Sequence, residues 1–275
     1  EYREQSVAKY DVRRLLNTGV HVNVSFDERT AKFLAAKLEF ATTDDLYLHI
    51  AQYFMLNRWV LTYFFGATPW ALPGYFDAEE PIQPVRSLRS SSYGFMNDVR
   101  GDYRSVDHYV KAINRAVSAE QLLEPREYYE SVRLKSGNSK DPNRILQKGV
   151  THLELRTFDL NPLAFTAVSA EQLRLLKLLT VYFAYAPKMT APEVATELEL
   201  AAIKNELVAL ENPLQPSLYQ DEGLQLLTDL LSFAVENDFE TKDLQIIEQF
   251  ITRFEDPEQT LAAQVATEFA VARSH

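Results

Sequence analysis

Two stretches of strict apolar–polar alternation, Val20–Phe26 and Thr151–Phe158, sit far apart in the chain with helical patterns between them. In the first, Val20, Val22, Val24 and Phe26 share one face, and His21, Asn23 and Ser25 share the other. In the second, Thr151, Leu153, Leu155 and Thr157 oppose His152, Glu154, Arg156 and Phe158. A period of two marks a strand buried on one side. Arg86–Ser92 and Tyr128–Leu134 read as two shorter strands. Strands this scattered give no strand–helix–strand rhythm, which excludes a doubly wound parallel sheet and predicts antiparallel pairing in an α+β fold.

The remaining patterns are helical. Residues 2–16 read as the end of a helix stopped by Gly19. Asp27 caps a helix over about 28–40. Thr42-Thr43-Asp44-Asp45 opens a helix that runs to Gly66, apolar almost all round, and Ser105 starts another over 105–117. Residues 67–85, rich in proline and glycine, form a long loop of the kind that carries function. After Pro162 helices are predicted at about 169–186, 191–210, 222–237, 240–254 and 257–273. This places a soft boundary near residue 165, between an α+β part (1–165) and a helical part (166–275).

Charge follows the same division. The chain carries a net −11, yet residues 190–275 hold 17 of its 39 acidic residues and 4 of its 28 basic ones. The first part is therefore near neutral and holds most of the arginines, as a site for an anionic ligand requires. The acidity of the second reads as a solubilising helix surface. An acidic total argues against nucleic acid or an anionic membrane as partner. Cysteine is absent, which excludes disulfides, thiolate metal sites and a cysteine nucleophile, and fits a reducing, cytoplasmic setting. The longest apolar run, Leu46 to Gly66, is interrupted by His49, Gln52, Asn57 and Arg58, which suits a buried helix and not a membrane span. The chain opens inside a predicted helix without methionine, which suggests a piece of something longer.

Short motifs for phosphate loops, dinucleotide folds, zinc proteases and serine hydrolases are missing. What remains is polar faces on apolar strands: His21, Asn23 and Ser25 on one, Glu154 and Arg156 on another, Arg89 flanked by Ser87 and Ser91 on a third. A carboxylate with an imidazole suits a divalent cation, and arginines suit phosphate or carboxylate. A solvated sheet face carries the same residues, so spacing alone leaves the function open.

Four segments are more specific. Thr18-Gly19-Val20-His21-Val22-Asn23-Val24-Ser25 resembles S-G-V-H-Y-N-F-S of the bacterial glutamate–cysteine ligases (γ-glutamylcysteine synthetases). Ser87-Leu88-Arg89-Ser90-Ser91-Ser92-Tyr93-Gly94-Phe95 resembles their S-L-R-x-S-x-x-G-Y. Glu127-Tyr128-Tyr129-Glu130-Ser131-Val132-Arg133 is similar to their tyrosine strand ending in arginine. His152-Leu153-Glu154-Leu155-Arg156-Thr157-Phe158-Asp159-Leu160-Asn161-Pro162 resembles Y-I-E-V-R-S-x-D-I-N-P. They occur in the family's order across about residues 2–185.

The resemblance implies an ATP-dependent carboxylate–amine ligase of the glutamine-synthetase-like superfamily, its antiparallel sheet curved into a funnel. Nucleotide and magnesium (or manganese) would enter at one end, and glutamate and cysteine at the other. ATP would phosphorylate the γ-carboxylate of glutamate, and the cysteine amine would displace phosphate, the first step of glutathione synthesis. By the same resemblance Glu154 and His21 are metal ligands, and Arg156 steadies the transferring phosphoryl group. Arg89 binds a substrate carboxylate or the acyl phosphate, and Arg133 lies near the phosphates. Tyr129, Phe95 and Asn23 contact the amino acids. Val22 and Phe95 replace family tyrosines, and the family's N-terminal glutamates have no counterpart here. The expectation is an N-terminally truncated ligase. The alternatives are a catalytically incomplete homologue that binds nucleotide or amino acid, and a helical interaction protein built on 166–275.

Overall fold

The computed structural model describes residues 2–77, 80–95 and 99–273. In chain order it comprises α1 (Tyr2–Lys9), β1 (Gly19–Val24), α2 (Glu28–Lys37), α3 (Thr43–Leu56), α4 (Arg58–Phe65), α5 (Val106–Ser118), β2 (Val132–Lys135), α6 (Asn143–Lys148) and β3 (His152–Asp159). Helices α7 (Ala170–Ala184), α8 (Ala191–Leu210), α9 (Gln220–Glu236), α10 (Thr241–Glu255) and α11 (Leu261–Arg273) follow. Caps set several starts: the side chains of Asp27, Thr42, Ser105 and Ser169 accept the N–H groups of Thr30, Asp45, His108 and Gln172, donors that a helix cannot satisfy from within.

The three strands form one antiparallel sheet in the order β1-β3-β2. The fold is thus helix-rich α+β with a small antiparallel sheet. Val22 pairs with Leu155 and Val24 with Leu153, and on the other side Val132 and Leu134 take the same two partners. Their side chains make one buried face.

One irregularity matters for the site. Val20 pairs with Phe158 although Val22 pairs with Leu155, so β3 holds an extra residue opposite His21. Such a bulge reverses the inward–outward alternation beyond it. Phe158, expected from alternation on the polar face, turns into the core and stacks on Phe65 at 4.6 Å. Arg156 and Thr157 both border the same cleft.

Three further expectations are corrected. The helix from residue 43 to 66 is two helices, because Asn57 breaks it: its backbone N–H and Nδ2 both return to Tyr53 O, at 3.0 and 2.9 Å, and its φ and ψ of −100° and 16° leave the helical region. Arg86–Ser92 is a turn joined to Thr68 by a single parallel bridge at Ser87, not a strand. The strand expected at Tyr128 begins only at Val132, after a 3₁₀ turn at Pro125–Glu127. Among the described residues no helix is long and apolar enough to cross a membrane.

The all-round apolar character of α3 and α4 reflects their central place. Every residue of α4 is buried. Phe54 meets Phe183 at 5.0 Å, Phe64 meets Phe250 at 4.8 Å, and Tyr63 stacks on Phe254 at 4.2 Å. The later helices thereby share one apolar cluster with the sheet. His49 lies within it, its ring 5.0 Å from both Phe40 and Tyr53 and its Nε2 without a hydrogen bond. Burial pushes the imidazole down to about 4, whereas in the unfolded chain it titrates near 6.5. Between those values only the unfolded state binds the proton, so stability falls as pH drops through that window. Urea unfolding at pH 7 and pH 5 is expected to differ by on the order of 2 kcal/mol from this group, and His49→Phe to remove that part. An unchanged pH dependence in the variant refutes the assignment. His108 sits on α5 beside its cap Ser105, and His275 lies outside the described residues.

Candidate active site

A cleft of about 680 Å³ opens beside the start of β1, between the turn at 87–95, the segment 129–131, the bulge of β3 and one face of α8. Asp159, the last residue of β3 and 2% exposed, organises one wall. Its Oδ2 accepts three hydrogen bonds at 2.8 Å, from Ala67 N, Thr68 Oγ1 and Ser87 Oγ. The turn therefore needs no strand partner to be fixed. Asp159 Oδ1 faces Arg89 Nη1 at 3.6 Å, and Arg89 Nη2 donates to Arg156 O at 2.8 Å. Arg89 passes so close over Gly19 that a methyl group there would run into its guanidinium and into the carbonyl of Phe158.

Beside this wall Glu154 gathers cationic groups. Its carboxylate lies 3.7 Å from Arg133 Nη1, 3.8 Å from Arg156 Nη1 and 3.8 Å from His21 Nδ1. These are ion-pair separations, too long for charge-assisted hydrogen bonds, and the buried Glu154 Oε2 accepts no hydrogen bond. Burial first, then the neighbouring Arg133, lower the affinity of Arg156 for its proton against the opposing pull of Glu154. Burial and Arg156 push His21 down to about 4 despite Glu154, so its ring is neutral at pH 7. The arrangement is one carboxylate among several guanidiniums, a place where added negative charge is stabilised.

An aromatic wall adjoins it. The Arg156 guanidinium lies over the Tyr129 ring at 4.5 Å, a cation–π contact, and the ring of Phe95 meets Tyr129 at 4.5 Å.

Of the residues singled out from sequence, His21, Arg89, Phe95, Tyr129 and Arg156 line the cleft. Glu154 and Arg133 stand immediately behind them; Arg133 is also held by Pro125 O at 3.1 Å. Asn23 is exposed, pairs with Glu154 across the sheet, and is outside the lining. Sequence reasoning missed Asp159 as the organiser, Thr157, whose buried hydroxyl has no hydrogen bond, and the buried pair Arg58–Glu130. A charged residue inside the apolar run 46–66 was the available signal for Arg58. Among the described residues no three of His, Cys, Asp and Glu cluster as a metal cage would need.

A family model described as glutamate–cysteine ligase matches residues 1–123 and 119–205. The glutathione biosynthesis bifunctional protein GshAB of Pasteurella multocida is 31% identical over 274 residues, covering 96% of this chain and 36% of that protein. Its namesake from Streptococcus thermophilus is 31% identical over 271 residues, covering 96% and 35%. The chain thus spans about a third of the length of these relatives. A crystal structure of the bifunctional glutathione synthetase from P. multocida superposes with a TM-score of 0.86 at 28% identity, covering 98% of this chain and 36% of that one. The glutamate–cysteine ligase of Francisella tularensis in complex with AMP superposes at 0.76 with 21% identity, covering 94% and 60%; at that identity the likeness concerns the fold.

Proposed function

The chain belongs to the glutamate–cysteine ligase family, and from that premise we propose that its cleft joins the γ-carboxylate of L-glutamate to the amine of L-cysteine at the expense of ATP. The observation that carries this reading is the gathering of Glu154, Arg156, Arg133, His21 and Arg89 within and behind one cleft. The reaction brings a carboxylate against a polyphosphate, and such a step needs positive charge already in place.

In the first step an oxygen of the γ-carboxylate attacks the γ-phosphorus and ADP leaves, forming a γ-glutamyl phosphate. Arg156 and Arg133 offset the charge on the transferring group, and Arg89, fixed by Asp159, holds the carboxylate. In the second step the cysteine amine attacks the acyl carbon, the C–N bond forms, the C–O bond to phosphate breaks, and the departing phosphate takes up the proton that the amine loses. Tyr129 and Phe95 would flank cysteine. The sheet would be part of the glutamine-synthetase-like funnel, with residues 1–165 carrying the chemistry and 166–275 backing the cleft through α8. A magnesium or manganese ion would be held by Glu154 Oε1, the oxygen turned away from the two arginines and 3.8 Å from Nδ1 of the neutral His21 ring, with phosphate oxygens and water as the other ligands. Bound there it would neutralise phosphate charge. All partners in this reading are small molecules of the cytoplasm.

The test is ADP release with glutamate, cysteine and Mg-ATP all present. Release that requires both amino acids supports the proposal. Calorimetric binding of ATP or glutamate with no turnover favours the second reading, a binding module without catalysis, which the lack of a three-residue metal cluster among the described residues also favours.

A further inference from the structure

A second charged pair in the cleft has no part in the proposed phosphoryl chemistry. Arg58 is the first residue of α4, and its side chain is 7% exposed. A guanidinium carries five N–H donors in a planar fork. Here Nε is buried and donates no hydrogen bond, while Nη1 stands 3.5 Å from Glu130 Oε2, longer than a good charge-assisted bond. Glu130, whose side chain is 5% exposed, is fixed from its other side, where Oε1 accepts the Gly101 N–H at 3.1 Å.

A buried ion pair normally repays its desolvation through short hydrogen bonds to every donor. This one does not, and both of its members line the cleft beside Tyr129. Arg100 lines the same cleft and acts on Arg58 as a like charge, so the positive charge beside the pair exceeds what Glu130 offsets. A planar fork with unused donors fits a carboxylate, bidentately.

We propose that Arg58, aimed by Glu130, binds the α-carboxylate of one of the two amino-acid substrates and makes that carboxylate a requirement for turnover. The ligand's identity rests on the ligase reading; the demand for a carboxylate rests on the geometry of the pair alone. Either glutamate or cysteine can supply that group, and their decarboxylated analogues, 4-aminobutanoate and 2-aminoethanethiol, separate the two.

The experiment compares kcat/KM for each amino acid with that for its analogue, in the unsubstituted protein and in two variants. Arg58→Met with Glu130→Gln removes both buried charges together, which avoids the unpaired charge that either substitution alone would leave. Arg58→Lys keeps the charge and loses the fork. The expected result is that the unsubstituted protein prefers one parent amino acid over its analogue by about 10²-fold or more. In the double variant that preference shrinks at least about tenfold. The KM for that amino acid rises, the KM values for ATP and for the other amino acid stay, and Arg58→Lys falls between. A folded double variant that keeps the full preference on both arms overturns the proposal. If the protein shows no turnover, the same comparison is made by calorimetric binding. Tighter binding of the carboxylated form that the double variant loses upholds the subsite although the ligase reading fails, and equal binding of acid and analogue overturns it.

Discussion

Arg156→Ala is expected to lower ADP release dependent on glutamate and cysteine by about 10²–10³-fold, the usual effect of removing one preorganised group from a developing charge. The side chain is nearly buried, lies over Tyr129, and is within ion-pair reach of Glu154. The backbone contact to Arg89 survives because it uses the carbonyl of residue 156, so the wall made by Asp159 stays in place. Substituting one of several crowded cations leaves folding largely intact, and thermal unfolding should shift little. Glu154→Gln should give a comparable loss for the opposite reason: Arg133 and Arg156 lose the carboxylate that gathers them and offsets their mutual repulsion. Arg156→Lys should fall between, since the charge remains but the planar fork does not. Activity retained in both Arg156→Ala and Glu154→Gln contradicts the site.

Asp159→Ala is expected to destabilise the protein by about 3–5 kcal/mol, because two buried donors, one half-buried donor and one guanidinium lose their acceptor together. The melting temperature should fall by on the order of 10 °C. The donors come from Ala67, Thr68 and Ser87, so the turn carrying Arg89 should loosen first, visible as faster proteolysis or hydrogen exchange there. Asp159→Asn separates the two roles. It keeps an oxygen for the three donors and turns an amide toward Arg89, so stability should largely return while activity should not. Full activity in Asp159→Asn would show that the pairing with Arg89 is dispensable.

The sequence made some of this legible for identifiable reasons. Alternation in β1 and in β3 up to Leu155 is written locally, as are the caps Asp27, Thr42 and Ser105, since a cap and its N–H lie three residues apart. The bulge at Arg156–Thr157 is not local: it exists only relative to β1, which pairs with β3 from far along the chain. It carries Phe158 to the core, and alternation extended through it puts that ring on the wrong face. The turn at 87–92 reads as a strand because what fixes it lies far along the chain: Ser87 Oγ donates to Asp159 Oδ2, and the backbone N–H groups of Leu88 and Arg89 donate to Thr68 O and Oγ1. The break at Asn57 hides inside an apolar run most of whose residues are buried. His21, Arg89, Phe95, Tyr129 and Arg156 were found by their motifs and do line one cleft. Arg58 and Glu130 were not, because nothing at either position alone signals the other.

The most direct measurement follows the oxygen atom. Glutamate labelled with ¹⁸O in its γ-carboxylate is supplied with cysteine and Mg-ATP, and the inorganic phosphate is analysed by mass. A γ-glutamyl phosphate intermediate passes one labelled oxygen to phosphate for each dipeptide formed, and that is the result the account predicts. Dipeptide formed with unlabelled phosphate, or no dipeptide with all three substrates present, contradicts it.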